Sequence, residues 1–146
     1  MKKAIILDID GVILDTKAVL AEILNKNLKG DEMWSYFYEN CNSTRVPLMK
    51  NILSFLEYLD PSVYIILSTA RNEKCRKETS EKLNAEGISY NILCMRKNGD
   101  LRPSAEVKKD HINLIKKEFE IIAFIDDDLS NCRMAEAKGL LALRKV

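Results

Sequence analysis

The chain has 146 residues, the size of one ordinary domain, and a domain of that size buries roughly 68–70% of the surface its unfolded chain exposes. With 47% apolar and 31% charged residues, few Gly or Pro and a net charge of +1, it is neither disordered nor fibrous, and it has no global attraction for nucleic acid or membrane, so any affinity for phosphate has to be local. No apolar stretch approaches the roughly eighteen residues of a membrane span, the N-terminus runs into a strand with no small-residue cleavage site, and Cys41, Cys75, Cys94 and Cys132 form no C-x-x-C pair, which points to a cytoplasmic protein whose cysteines are small buried hydrophobes.

The first apolar run, residues 4–9, is short and continuous, and DIDG occupies residues 8–11. Side chains at i and i+2 of a strand share a face, so Asp8 and Asp10 are expected side by side, a repulsion offset by a bound cation, a shared proton or exposure at the strand end. From 16 to 46 the pattern holds two helices and no strand, one over 17–28 and an aromatic-rich one over 31–41. This is a small helical insertion, serving either as a lid or as extra packing. Leu48, Ile52, Leu53, Leu56 and Leu59 then share a helical face that Pro61 terminates. The run 63–67 leads into STAR at 68–71, a helix over 73–86 ends at Gly87, and the run 90–94 leads into MRKNGDLR at 95–102. A helix carrying Lys108, Lys109, Lys116 and Lys117 reads as solvated. The run 121–125 leads into DDD at 126–128, a helix over 129–138 ends at Gly139, and 140–143 is the last strand.

Continuous apolar strands alternating with helices are the mark of strands covered on both faces. The expected fold is α/β, doubly wound, with a mainly parallel five-stranded sheet and a small helical insertion after the first strand, in a single domain over 1–146. Ligands of such sheets bind at the carboxyl ends of the strands. Those ends here bring together at least four acids, a hydroxyl and three arginines. Acids from separate strands with no histidine or cysteine among them suit a hard, oxygen-seeking cation, Mg2+ in particular, and disfavour zinc. The Thr69 hydroxyl, the N–H groups after it and Lys108 would hold phosphate oxygens. Asp8 would attack phosphorus to give an aspartyl phosphate, and Asp10 would protonate the leaving oxygen and later deprotonate water. Gly11 would relieve crowding where the backbone passes the phosphate. Phosphate monoester hydrolysis needs a barrier reduction above ~20 kcal/mol, most of it from neutralising the phosphoryl oxygens.

DIDG at 8–11, the strand-terminal Thr69, Lys108 and the acids Asp126 and Asp127 resemble the four ordered motifs of the haloacid dehalogenase (HAD) superfamily of Mg2+-dependent phosphatases, and the likeness covers nearly the whole chain. More narrowly, TARNEKCRKETSEKLNAEGI, MRKNGDLRPSAEVKKD, FIDDDLSNCRMAEAKGL and the aromatic stretch WSYFYENC are similar to the 3′-phosphatase domains of phage polynucleotide kinases and their stand-alone relatives. The resemblance implies that Asp8, Asp10, Asp126 and Asp127 serve the metal and that Arg71, Arg96, Asp100 and Arg102 line the substrate side. Lys108 would contact the phosphoryl group. Two residues depart from that pattern: Ala70 stands for the usual Gly, and Asp128 for a basic residue. No G-x-x-x-x-G-K-[ST] occurs, so no kinase half is expected.

The expected partner is a phosphorylated substrate, a nucleic-acid 3′-phosphate end or a nucleotide, with another small phosphorylated metabolite as the alternative; no membrane and no obligate protein partner are implied. A non-catalytic receiver-like module that accepts phosphate and an inactive nucleic-acid-binding protein are the competing classes. Taken singly, Asp128 reads as a helix N-cap, Lys108 as a surface lysine and His111 as a surface residue. Trp34, Tyr36, Phe37 and Tyr38 read as packing against the sheet more readily than as a base-stacking surface.

Overall fold

Strands that alternate apolar residues toward two covered faces have no side left for water, and the chain builds its sheet from five of them. The computed structural model describes all residues, 1–146. The strands are β1 (Lys2–Leu7), β2 (Tyr64–Asn72), β3 (Ile92–Arg96), β4 (Phe119–Asp126) and β5 (Ala142–Arg144), in the order β3-β2-β1-β4-β5. Every pairing is parallel, so the sheet is wholly rather than mainly parallel. Within β1, Ala4 and Ile6 face one layer with Ile66, Ile112, Ile115, Phe119, Phe124 and Ala135, while Ile5 and Leu7 face the other. No helix is long and apolar enough to cross a membrane.

The helices are α1 (Lys17–Asn25), α2 (Gly30–Asn40), α3 (Lys50–Glu57), α4 (Arg76–Ala85, after a 3-10 turn at Glu73–Cys75), α5 (Ser104–Ile115) and α6 (Leu129–Ala137). Helix α1 stops three residues before the predicted end. Asn27 takes the left-handed conformation at φ 54°, and the Leu28 N–H closes onto the Ile23 carbonyl, a helix-ending loop that the sequence signals with glycine elsewhere. Gly87 at φ 77° and Gly139 at φ 82° end α4 and α6 in the same way, as expected. Strand β2 is longer than predicted and carries STAR inside it. Cys41 and Cys132 are buried, Cys75 and Cys94 half-buried, and all four are free thiols.

The insertion is part of the core. Val19 and Ile23 from α1, Phe37 from α2, and Cys41 and Val46 beyond it join Ile5, Leu7, Leu67 and Ile125 in the larger apolar cluster. It is also tied to the first turn, because the Asp15 N–H donates to the Pro47 carbonyl and the Met49 N–H to the Ile13 carbonyl. Helix α5 overturns another expectation. Far from being solvated, it buries Val107, Lys108, Ile112 and Ile115 against the sheet.

Phe124 is 1% exposed in the smaller cluster, so Phe124→Ala should remove about 3–5 kcal/mol of stability. Urea unfolding should show this as a lower midpoint with an unchanged slope.

Candidate active site

Four parallel strands deliver polar residues to one edge of the sheet. The Asp8 N–H still bonds to the Ile125 carbonyl at 2.9 Å, which continues the β1–β4 ladder by one residue and sets Asp8 beside the end of β4. There it meets Asp126, which is fully buried, and Asp127, which is partly exposed. Oxygens of the three carboxylates lie within 4.8 Å of one another. The exposed-acid alternative for Asp8 fails, since the residue is 7% exposed.

One cation answers these charges. The Lys108 ammonium, on the second turn of α5, bonds Asp8 Oδ1 at 2.9 Å and Asp126 Oδ2 at 2.6 Å. At 1% exposure it is the opposite of the surface lysine that its neighbours Lys109 and Lys116 suggest. Burial works against its charge, but Asp8 and Asp126 outweigh that and hold its pKa above the ordinary lysine value. Burial pushes the Asp8 carboxyl well above its usual value, with Asp126 and Asp10 adding to it and Lys108 opposing. Asp127 is raised as well, by burial first and then by Asp126. Further donors fix the geometry: the Ile9 N–H reaches Asp8 Oδ1 at 2.8 Å, and the Asp128 N–H reaches Asp126 Oδ1 at 2.9 Å. Asn131 Nδ2 reaches Asp126 Oδ2 at 3.1 Å. The sequence does not single out Asn131, although the N-cap at Asp128 that it predicts is formed, to the Asn131 N–H at 3.1 Å.

Asp10 does not lie beside Asp8 on a shared strand face. The chain leaves the strand after Leu7 and folds into a turn in which the N–H groups of Ile13 and Leu14 both bond to the Ile9 carbonyl. The Asp10 carboxylate is held by Arg71 instead, through Nε at 2.9 Å and Nη2 at 2.7 Å, and is absent from the three-carboxylate group. Two predictions change together, since Arg71 is a buried arginine facing Asp10 rather than a residue lining the substrate side. Asn42, just beyond α2, accepts from Arg71 Nη1 at 2.6 Å, and the Phe37 ring lies 5.8 Å from the guanidinium. Nothing local in the sequence marks Asn42, whose partner is 29 positions away.

Thr69 is buried on β2, and its Oγ1 accepts the Arg71 N–H at 3.1 Å. Arg96 is turned inward onto the carbonyls of Ala70 (2.9 Å), Asp100 (3.0 Å) and Arg102 (2.6 Å), which closes the β3–α5 loop. Arg102 pairs with Asp100 at 2.8 Å and Asp110 at 2.7 Å and holds Asp100 well below the usual carboxylate range. His111 also departs from its expected surface position. Its Nδ1 lies 2.7 Å from Ser68 Oγ and its Nε2 3.2 Å from the Met95 carbonyl. That assigns the ring proton to Nε2, and burial lowers its pKa.

Residues 1–143 match the family described as HAD superfamily, subfamily IIIB (acid phosphatase). The chain belongs to that family. No curated protein matches its sequence. Among solved structures, this HAD superfamily chain superposes on a chain of the Pnkp1/Rnl/Hen1 RNA repair complex with a TM-score of 0.79 at 20% identity, over 99% of its own length and 45% of the other. It therefore spans less than half of that relative. The class C acid phosphatase from Bacillus anthracis with tungstate bound gives 0.71 at 17% identity over 99% and 68%. A haloacid dehalogenase-like hydrolase from Streptococcus pneumoniae gives 0.70 at 16% over 97% and 83%. At these identities the likeness establishes the fold.

HAD phosphatases generally use a divalent metal, and the residues present fit one. Three carboxylates against one ammonium leave two negative charges unmatched. The donors are all oxygen, and a spread within 4.8 Å compares with the about 4.2 Å between opposite ligands of Mg2+. Gly11 completes the fit, though not as the sequence suggests. At φ 82°, a Cβ there would lie 2.1 Å from Asp127 Oδ2, so glycine admits the Asp127 carboxylate to the group.

Because the folded-state pKa of Asp8 is raised, its ionisation disfavours the fold as pH rises through that value, and protons compete with a metal below it. At a hundredfold excess over Kd, Mg2+ should stabilise by about 2.7 kcal/mol, or roughly 5–10 °C in Tm, at neutral pH. The gain should shrink at mildly acidic pH. Gly11→Ala, by displacing Asp127, should lose most of it, as thermal melts with Mg2+ or chelator can check.

Proposed function

We propose that the chain is a Mg2+-dependent phosphomonoesterase that works through an aspartyl phosphate on Asp8 and acts on a nucleotide or the 3′-phosphate end of a nucleic acid. The observation that carries this is the buried Asp8 carboxylate, held by Lys108 in the group it shares with Asp126 and Asp127. The acid phosphatase family and the fold of the RNA repair relative support the same reading. Asp8, Asp126 and Asp127 would hold the metal, which when bound supplies positive charge to the phosphoryl oxygens. Asp10, whose carboxylate Arg71 occupies, is withdrawn from that ligand set.

The nucleophile is pinned. Two donors on Asp8 Oδ1 fix the carboxylate plane, so attack on phosphorus forms the Asp8 oxygen–phosphorus bond without a search over rotamers. As the ester bond breaks, Asp10 delivers a proton to the leaving oxygen. In the second half it takes a proton from water, whose oxygen displaces phosphate from Asp8. Its side chain is 24% exposed, open to the site while Arg71 holds its orientation. Lys108 has three ammonium protons, and two are used on Asp8 and Asp126. The third is free for a phosphoryl oxygen. The Thr69 hydroxyl accepts from the Arg71 N–H and retains its own proton to donate. These donors are set before substrate arrives, the condition under which charge stabilisation lowers a barrier most.

Release of inorganic phosphate from 3′-phosphorylated oligonucleotides, 5′- and 3′-mononucleotides and sugar phosphates, with Mg2+ or chelator, tests the proposal. Asp8→Asn should lower turnover by roughly 10^4-fold or more. Asp10→Asn should lower it roughly 10^2–10^4-fold and let the phosphoprotein accumulate. Activity that survives Asp8→Asn would remove the nucleophile, and a wild-type phosphoprotein without turnover would make the chain a receiver-like acceptor.

A further inference from the structure

Strands β1, β4 and β5 run parallel and end level at the carboxylate group. Leu7 pairs with Ile125 and Ile125 with Leu143, and on the next rung Asp126 pairs with Arg144. Asp8 follows Leu7 and keeps its N–H on the Ile125 carbonyl, so Asp8, Asp126 and Arg144 stand in one row across three strands. The Lys145 N–H, bonded to the Asp126 carbonyl at 2.9 Å, holds β5 in that register to its end. Arg144 is exposed, and its Nε donates to the Asp127 carbonyl at 3.0 Å. That bond ties the guanidinium to the peptide of a candidate metal ligand. It leaves the N–H groups of Nη1 and Nη2 without a partner in the chain.

The four basic residues that the sequence assigns to this edge are already engaged. Arg71 pairs with Asp10, Arg96 is closed onto three carbonyls, Arg102 lies between Asp100 and Asp110, and Lys108 lies between Asp8 and Asp126. Arg144 differs from all of them. It adjoins the three-carboxylate group yet forms an ion pair with none of its members. A guanidinium that served only to neutralise those acids would turn its fork onto them, because a bidentate arginine–carboxylate pair is the strongest bond open to it. Position decides which anion the fork can take instead. Neighbouring strands lie about 4.8 Å apart, so the backbones of Asp8 and Arg144 are separated by about 10 Å, with β4 and its two carboxylates between them. A phosphoryl group on Asp8 sits on one side of Asp126 and Asp127, and the free fork belongs to the other.

We infer that Arg144 is a specificity-determining residue that binds a second phosphate of the substrate, apart from the one that is hydrolysed. The inference rests on the proposed phosphatase reading for where the hydrolysed phosphate sits. It narrows the substrate from any nucleotide to one whose reacting nucleoside carries two phosphates. A nucleoside 3′,5′-bisphosphate meets that condition, and so does a 3′-phosphorylated strand whose last phosphodiester takes the place of the 5′-phosphate. In both, two phosphate oxygens face the Nη1 and Nη2 donors of a planar fork. The pair is exposed and therefore screened by salt, which sets its contribution at roughly 5–30-fold in affinity at low ionic strength.

Phosphate release from a nucleoside 3′-monophosphate, the 3′,5′-bisphosphate of the same nucleoside and a 3′-phosphorylated dinucleotide, compared in wild type, Arg144→Gln and Arg144→Lys, tests the inference. Arg144→Gln should raise KM for at least one of the two-phosphate substrates roughly 5–30-fold at nearly constant kcat, and change that of the monophosphate much less. Which of the two responds assigns the second anion as a terminal phosphate or a phosphodiester. Arg144→Lys keeps the charge without the planar fork, so it should restore part of the discrimination, and added salt should erode it. A role limited to holding the Asp127 peptide would instead lower turnover of all three substrates alike and reduce the thermal stabilisation by Mg2+. That outcome, or no change in Arg144→Gln, would overturn the inference while the phosphatase reading stood. Calorimetric titration with the bisphosphate in chelator gives the converse separation. Binding that Arg144→Gln weakens, in a chain that hydrolyses none of the three with Mg2+, would support the anion site and overturn the phosphatase reading.

Discussion

An ammonium group removed from water can stay charged only where anions hold it, and in this chain Lys108 does so between Asp8 and Asp126. Much of the architecture serves that contact. Parallel pairing of β1 with β4 puts Asp8 next to Asp126, and α5 packs Val107 and Ile112 inward so that Lys108 enters from above the sheet edge. Three carboxylates beside one lysine remain under-neutralised, and the proton affinities of Asp8 and Asp127 are raised, by burial first and by the neighbouring carboxylates after it. A site in this condition favours whatever positive charge it is offered. In the proposed reading, a divalent ion would meet that need and a phosphoryl group would then complete the set.

The second arrangement is the pairing of Asp10 with Arg71, which separates the two acids of DIDG by function. Asp8 stays within the sheet ladder, while the turn after it delivers Asp10 to a guanidinium braced by Asn42, Thr79 and the Phe37 ring. Asn42 and Phe37 belong to the helical insertion. The insertion thus touches, through the packed core, the arginine that holds Asp10, and its Val19, Ile23 and Cys41 are buried in the larger apolar cluster. The same helix α2 presents Trp34 to a cleft of about 1020 Å3. One small insertion therefore braces the Asp10–Arg71 pair on its inner side and lines that cleft on its outer side.

How much of this is legible in the sequence depends on the range of the interaction concerned. The strands are readable because continuous apolar runs such as 121–125 can only be covered on both faces, and the convergence of Asp8, Thr69, Asp126 and Asp127 follows from the rule that the strand ends of such a sheet share one edge. The Asp128 cap and the glycine stops after α4 and α6 are local and equally plain. Lys108 is legible only through family resemblance, because Lys109 stands beside it on the helix, Lys116 and Lys117 follow the helix end, and nothing local says which one turns inward. Asp10 and Asn42, two of the partners of Arg71, lie 61 and 29 positions away, and Arg96 closes its loop through backbone carbonyls that have no side-chain signature. For those two arginines the type of residue was right for phosphate, and the fold had already used the charge or the donors elsewhere.

The central claim is that Asp8, Asp126 and Asp127 gather at the sheet edge to share a divalent ion beside the nucleophile. The most direct test is a crystal structure grown with Mn2+ and measured at the manganese absorption edge. An anomalous peak should appear, coordinated by oxygens of all three carboxylates, with the Asp10 side chain still on Arg71. A peak at another place on the chain, or none beside Asp8 at saturating Mn2+, would contradict it.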